Sequence, residues 1–321
     1  MGKLDILAKE YMKRPSVFAD VFNQFLYHGE QVITPDRLTE LDTVEIAVPY
    51  GADDAFVPEQ RYRDVAKMLT AMTDGKAAYC VLAVENEAKI NYAMPVKNSL
   101  YDLLQLARQV TAAAASHRKS KMKDHKPSGD EFLSGFWKCD RLLPVVTVVI
   151  YFGAEEWDGP LSLREMYTDC SEEILKYTMD YHINLITPDG LSDKEIDEFQ
   201  TNMREIMRYI KYSKNKDMLD KILNTQKRYK SVERRAVEII NAATGSEMKI
   251  KEGRESVDMC LAIQEMREES RIKGKIEGKI EGAVTFAKKL GADRETVKKS
   301  IMEEYDKSED EAEELMKAYW N

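Results

Sequence analysis

Apolar residues recur at helical spacing along residues 4–27, at Ile6, Leu7, Phe18, Val21, Phe22, Phe25 and Leu26, and Pro15 kinks or divides that run. Asp20, Asn23 and Gln24 share a polar edge beside the stripe. An acid-rich, loop-like stretch follows over 29–60, with one short strand at 44–48. Two apolar-rich runs, 62–70 and 77–88, then flank Asp74-Gly75, the dipeptide a tight type I′ turn prefers, and predict a β-hairpin. Pro95 opens a helix carried by Leu100, Leu103, Leu104, Ala107 and Val110. The continuously apolar run at 141–153 reads as a central strand, and helices over 161–177 and 192–212 enclose a short strand at 183–187. This order predicts an α/β sandwich with a mixed sheet. No GxGxxG or GxxxxGK[ST] loop follows any strand, which excludes a doubly wound nucleotide-binding sheet.

The turn sets the register of the hairpin. Opposite residues have numbers summing to 149, as 74 and 75 do, so Asp64 faces Glu85. Like charges directly opposite are destabilising unless something compensates, and a divalent cation would do so. The period of two places Glu87 on the same face as Glu85, while Cys80, Leu82, Val84 and Asn86 share the other. Both faces stay apolar until the acids begin, so the strand is expected to be buried on both sides with its polar chemistry at one end. A single acid there would simply meet water; three on one face leave a solvated end and a bound cation as equal alternatives. A basic run, His117, Arg118, Lys119, Lys121, Lys123, His125 and Lys126, follows the Pro95 helix as either a solvated loop or a landing place for phosphate.

Beyond residue 214 the pattern is helical and charged. Arg271 to Gly282 repeats every four residues as Arg-Ile-Lys-Gly, Lys-Ile-Glu-Gly and Lys-Ile-Glu-Gly. Interior glycines weaken a lone helix by about 1 kcal/mol each relative to alanine, so Gly274, Gly278 and Gly282 imply either the close approach of a second helix or a hinge. The tail predicts two short helices, with Asp293 as one N-cap and Ser308 to Glu311 as a capping box for the other. Residues 301–321 carry eight acids against Lys307 and Lys317, which disfavours groove binding by the tail and favours self-association.

Composition narrows the class without changing this picture. The 321 residues are 43% hydrophobic and 33% charged, with a net charge of −9, and suit a soluble globular chain of about two domains. An acidic whole argues against general coating of nucleic acid but not against a local basic surface. Cys80, Cys139, Cys170 and Cys260 form no CxxC pair, as expected of a reducing cytoplasm without structural zinc. The N-terminal residues show no export signal or lipid anchor, and the longest apolar run, 142–152, is too short to span a bilayer.

Asp64, then Glu85-Asn86-Glu87, Tyr92-Ala93-Met94-Pro95-Val96-Lys97-Asn98 and Phe132-Leu133-Ser134-Gly135-Phe136 together resemble the Rpn family of recombination-promoting nucleases, within the PD-(D/E)xK nuclease superfamily. The resemblance spans roughly residues 10–215, and the glycine-punctuated helix with its helical tail is similar to family C-termini. It implies an α-β-β-β-α-β core and a Mg²⁺- or Mn²⁺-dependent DNA endonuclease that hydrolyses phosphodiesters. It further implies Asp64, Glu85 and Asp20 as metal ligands. At position 87 the superfamily usually has Lys and this family Gln, whereas this chain has Glu87, which can only accept hydrogen bonds or bind metal while ionised. Lys89, one strand repeat on, and Lys97, where the family tends to have Arg, are the nearest cations.

The sequence thus predicts a PD-(D/E)xK-like mixed central sheet flanked by helices over 1–215, a helical connector over 216–270, and a self-associating glycine-repeat helix and tail over 271–321. Asp64, Glu85, Glu87 and Lys89 are the catalytic candidates, and Lys97, Arg118, Lys119, Lys121 and Lys123 the DNA-binding ones. The expected protein is a cytoplasmic, homo-oligomeric endonuclease linked to recombination or mobile elements, without membrane attachment. The alternative is a catalytically degenerate nuclease fold that binds DNA or a protein partner.

Overall fold

Pro15 ends one helix and begins the next: α1 (Lys3–Met12) and α2 (Pro15–Tyr27) meet there, with Pro15 at the first helical position where a missing N–H is harmless. The computed structural model describes residues 2–41, 44–47, 59–62, 65–69, 80–119 and 127–320. They fall into two compact units, Met1–Ser246 with Arg254–Val257, and Glu247–Gly253 with Asp258–Asn321.

The first unit holds a five-stranded mixed sheet. β1 (Leu38–Glu40), β4 (Val65–Leu69) and β5 (Cys80–Glu87) pair antiparallel, and β6 (Val145–Tyr151) and β7 (Asn184–Ile186) continue from β5 in parallel, in the order β1-β4-β5-β6-β7. Between β1 and β4 in the chain, β2 (Val44–Ala47) and β3 (Glu59–Tyr62) form a separate antiparallel pair. The register of β4 on β5 runs from Val65 opposite Val84 to Leu69 opposite Cys80, and every pair keeps the sum the turn dictates. The Asp74-Gly75 turn and Asp64 lie outside the described residues.

α1 packs against β5 and α3 (Met94–Lys119) against β6. On β4, Lys67 is buried. Its ammonium donates to the Lys13 carbonyl at the end of α1 (2.9 Å) and to the Glu40 carboxylate (3.2 Å), and lies 5.6 Å from the Phe18 ring centre. A cation at a helix C-terminus is the favourable arrangement. Asp102 of α3 accepts the hydroxyls of Thr147 on β6 and Tyr181 before β7, each at 2.6 Å, so a buried acid ties helix to sheet.

Two helices predicted from the sequence are not continuous. Over 161–177 the chain forms a bridge between Ser162 and His182, a 3₁₀ turn at Arg164–Met166 and the single turn α5 (Glu172–Leu175). Ile174 and Tyr177 are exposed, so this segment has no apolar stripe to bury. Over 192–212 two helices stand, α6 (Asp193–Glu198) and α7 (Met203–Tyr212). The break belongs to Asp20, whose buried carboxylate accepts the backbone N–H of Gln200 (2.9 and 3.1 Å) and of Thr201 (2.8 Å) and the Thr201 hydroxyl (2.6 Å). It thereby caps the turn that opens α7.

The expected connector over 216–270 does not stand apart. α8 (Lys216–Thr225) and α9 (Arg234–Thr244) belong to the first unit, where α8 packs on α7, and α9 on both α1 and α7. Ala236, Val237, Ile239 and Ile240 of α9 are buried, and that apolar face decides the matter.

In the second unit α10 (Met259–Lys289) runs unbroken through Gly274, Gly278 and Gly282. α11 (Arg294–Tyr305) is capped by Asp293, and α12 (Glu309–Tyr319) by the Ser308–Glu311 box. Ile280, Val284, Val297, Ile301, Ala312 and Met316 form their core. Among the described residues, a β-carbon placed on any of the three glycines would meet nothing within 4 Å. Among the described residues no helix is long and apolar enough to cross a membrane.

Candidate active site

β5 is the central strand, hydrogen-bonded to β4 on one side and β6 on the other, and Val81, Leu82, Ala83 and Val84 are buried on both faces. Only at its carboxyl end do polar residues enter, Glu85, Asn86 and Glu87, beside Val149, Ile150 and Tyr151 of β6. Glu85 and Glu87 share one face by the strand period. Glu85 is 1% exposed, an environment in which an unpaired carboxylate would be very unfavourable.

The compensation comes from α3. Its first turn is anchored by Met94, buried with Val149 and Ile183, and one turn on, Lys97 reaches back to the strand. Its ammonium lies 2.7 Å from Glu87 Oε1 and 3.1 Å from Glu85 Oε2. Burial alone would pull the Lys97 pKa down, but the charges of Glu85 and Glu87 outweigh that and hold it above the ordinary lysine range. Lys97 therefore stays protonated near neutral pH. It can donate hydrogen bonds and carry charge, but it cannot take up a proton as a general base.

A cleft of about 610 Å³ opens at this same end of the sheet, lined by Lys89, Tyr92, Tyr151, Gly153, Lys214 and Thr244 among others. Crevices at the carboxyl ends of parallel strands are where open α/β sheets bind ligands. Gly153 is required for its shape, because a β-carbon there would fall 2.0 Å from the Tyr151 hydroxyl. Tyr151 sits edge-on to Trp157 with ring centres 5.4 Å apart, and the Tyr92 hydroxyl donates to Asp158 at 2.9 Å.

Glu85 and Glu87 offer hard carboxylate oxygens of the kind Mg²⁺ and Mn²⁺ prefer. Among the described residues no three His, Cys, Asp or Glu side chains converge into a metal cage. Asn98, the residue after Lys97, is fully buried with neither amide atom hydrogen-bonded among the described residues. A buried amide of this sort is expensive unless water or a ligand reaches it.

Of the residues singled out from the sequence, Glu85, Glu87 and Lys97 come together. Lys89 is exposed at the cleft, and Asp20 is occupied as a helix cap. Asp64, Lys121 and Lys123 lie outside the described residues. Arg118 and Lys119 sit at the far end of α3, about 30 Å from Lys97 at 1.5 Å per residue. The burial of Lys67, the Asp102 network and the unpartnered state of the Asn98 amide are not legible in the sequence. Their signal, isolated polar residues inside apolar stripes, is weak without tertiary partners.

The sequence model of the family described as "Putative transposase, YhgA-like" matches residues 52–237, more than half of the chain. No curated protein and no solved structure matches it.

Proposed function

The chain belongs to the YhgA-like putative transposase family, and on that premise we propose that it is a divalent-metal-dependent DNA endonuclease of mobile-element biology. The observation that carries this reading is the convergence of Glu85, Glu87 and Lys97 at the carboxyl end of the central strand, beside an open cleft. Further support comes from the element order, α2, β1, β4, β5, α3, β6, which follows the α-β-β-β-α-β order the resemblance implies, with the β2–β3 pair inserted. Asp64, outside the described residues, is taken as Glu85's partner because the resemblance implies it.

In this proposal Asp64 and Glu85 hold Mg²⁺ or Mn²⁺, which when bound supplies charge neutralisation at a phosphate and a more acidic water. Glu85 positions its oxygens from a strand fixed on both sides. Lys97, held protonated, offers donors to a phosphate oxygen or an attacking water. Glu87 orients Lys97. Asp20 stays outside the cluster as a cap, and Lys89 and Lys214 meet the DNA backbone at the cleft. Self-association through the second unit remains part of the proposal, with the open glycine edge of α10 as its support.

A second reading, a nuclease fold that binds DNA without cutting, is favoured by one observation: Lys97 already neutralises the carboxylates a cation would use. Incubation of the purified full chain with supercoiled plasmid separates the two. The expected result is nicking in Mg²⁺ or Mn²⁺ that EDTA abolishes; intact plasmid under all conditions would leave the non-cutting reading.

A further inference from the structure

At the far end of α3 the chain builds a second pocket, of about 520 Å³, well removed from the acids of β5. Ser128 and Glu131 cap α4 (Gly129–Ser134), and Gly135 ends it in the left-handed conformation at φ +69°. A β-carbon on Gly135 would lie 2.8 Å from that of Ala114, so this glycine lets α4 close down on α3. One wall is rigid and flat. His117 stacks on Trp137 with ring centres 3.6 Å apart and planes at 14°, and Asp140 fixes both by accepting from the Trp137 backbone N–H (2.8 Å) and pairing with His117 Nε2 (2.7 Å).

The other side of the pocket is apolar and open. Phe132 is 78% exposed and Leu133 84%, adjacent residues of a six-residue helix with no role in the core. Two adjacent large apolar side chains held at the surface beside a pocket offer a ligand an apolar face. Charge selects which. His117, Arg118 and Lys119 close α3 with a basic turn in a chain of net charge −9. The pocket's acid, Glu131, spends its carboxylate on the backbone N–H groups of Ser128 and Lys138. Aromatic faces beside cationic donors are the combination that holds an unpaired base and its phosphate.

We propose that this pocket binds a single-stranded segment of nucleic acid, an unpaired base stacking on Phe132 with the adjoining phosphate on Arg118. This rests on the DNA-acting reading but names a different substrate feature and a different place: strands separated from their duplex, about 30 Å along α3 from the strand-end acids.

The test is fluorescence anisotropy of the full chain with a labelled single-stranded oligonucleotide and with the same strand as a duplex, in EDTA so that nothing is cut. The wild type should prefer the single strand. Phe132→Ala should weaken that binding about tenfold, in the range found for loss of one stacked base, while leaving the duplex unchanged. Arg118→Ala should weaken both and lower the salt slope by about one phosphate contact. Because Phe132 is exposed, its truncation leaves the core alone. Wild-type affinity in Phe132→Ala, or no binding of single strands by the wild type, overturns the proposal. So does a dimer that Phe132→Ala converts to monomer in light scattering, which would make the pocket a contact between copies. Plasmid nicking is scored on the same preparations: its absence with single-strand binding intact sinks the nuclease reading alone, and its presence with Phe132 irrelevant sinks the pocket alone.

Discussion

Lys97→Met should destabilise the protein by roughly 3 kcal/mol at pH 7.5 in EDTA, because it takes from a buried ion cluster the ammonium that both carboxylates contact. The wild type supplies the baseline. Lys97 has a folded pKa above its unfolded value, so its stabilising contribution is complete below the unfolded lysine value of about 10.4 and is lost only as pH rises through the folded one. Between pH 5 and 8 it contributes no slope. In the variant, Glu85 and Glu87, side by side on one strand face, lose the Lys97 ammonium, and lower pH eases the repulsion between two neighbouring carboxylates. The deficit should therefore shrink between pH 8 and pH 5, and Mn²⁺ should recover part of it at pH 7.5. Urea unfolding at the two pH values checks this; an equal deficit at both would mean that the carboxylates do not depend on Lys97.

Glu85→Gln should lower plasmid nicking by about 100-fold or more, the scale of losing a group that acts on the reacting atoms, while the fold survives. The amide is nearly isosteric and can still accept from Lys97. Glu87→Gln is the informative companion. Glu87 is less buried, with a side chain 15% exposed, and glutamine is the residue that the resemblance implies as usual there. Its amide oxygen can keep the Lys97 contact, so nicking should stay within about tenfold of wild type. Collapse in Glu87→Gln as deep as in Glu85→Gln would make Glu87 a ligand in its own right.

These expectations draw on features that differ in how far the sequence revealed them. The Asp74-Gly75 turn and the period of two predicted the β4–β5 register to the residue, because hairpin pairing is a local property. Asp293 and the Ser308–Glu311 box were legible for the same reason, since caps act within one turn. The break at 199–202 was not legible, because the acid that caps it is Asp20, 180 residues away in the chain. The segment at 161–177 misled through its spacing, which matched a helix although only Leu163 of its large apolar side chains is buried, while Leu161, Tyr167, Ile174 and Tyr177 are exposed. At the site, the acids were visible as a pattern, and Lys97 as a nearby cation. Its place between Glu85 and Glu87 required the packing of α3 on the sheet, which no local rule supplies.

Calorimetric titration of Mn²⁺ into the full chain, wild type beside Glu85→Gln, tests most directly whether the strand-end acids are a cation site. One saturable site in the wild type that vanishes in Glu85→Gln is the predicted result. No binding by the wild type, or the same isotherm for both proteins, would contradict it.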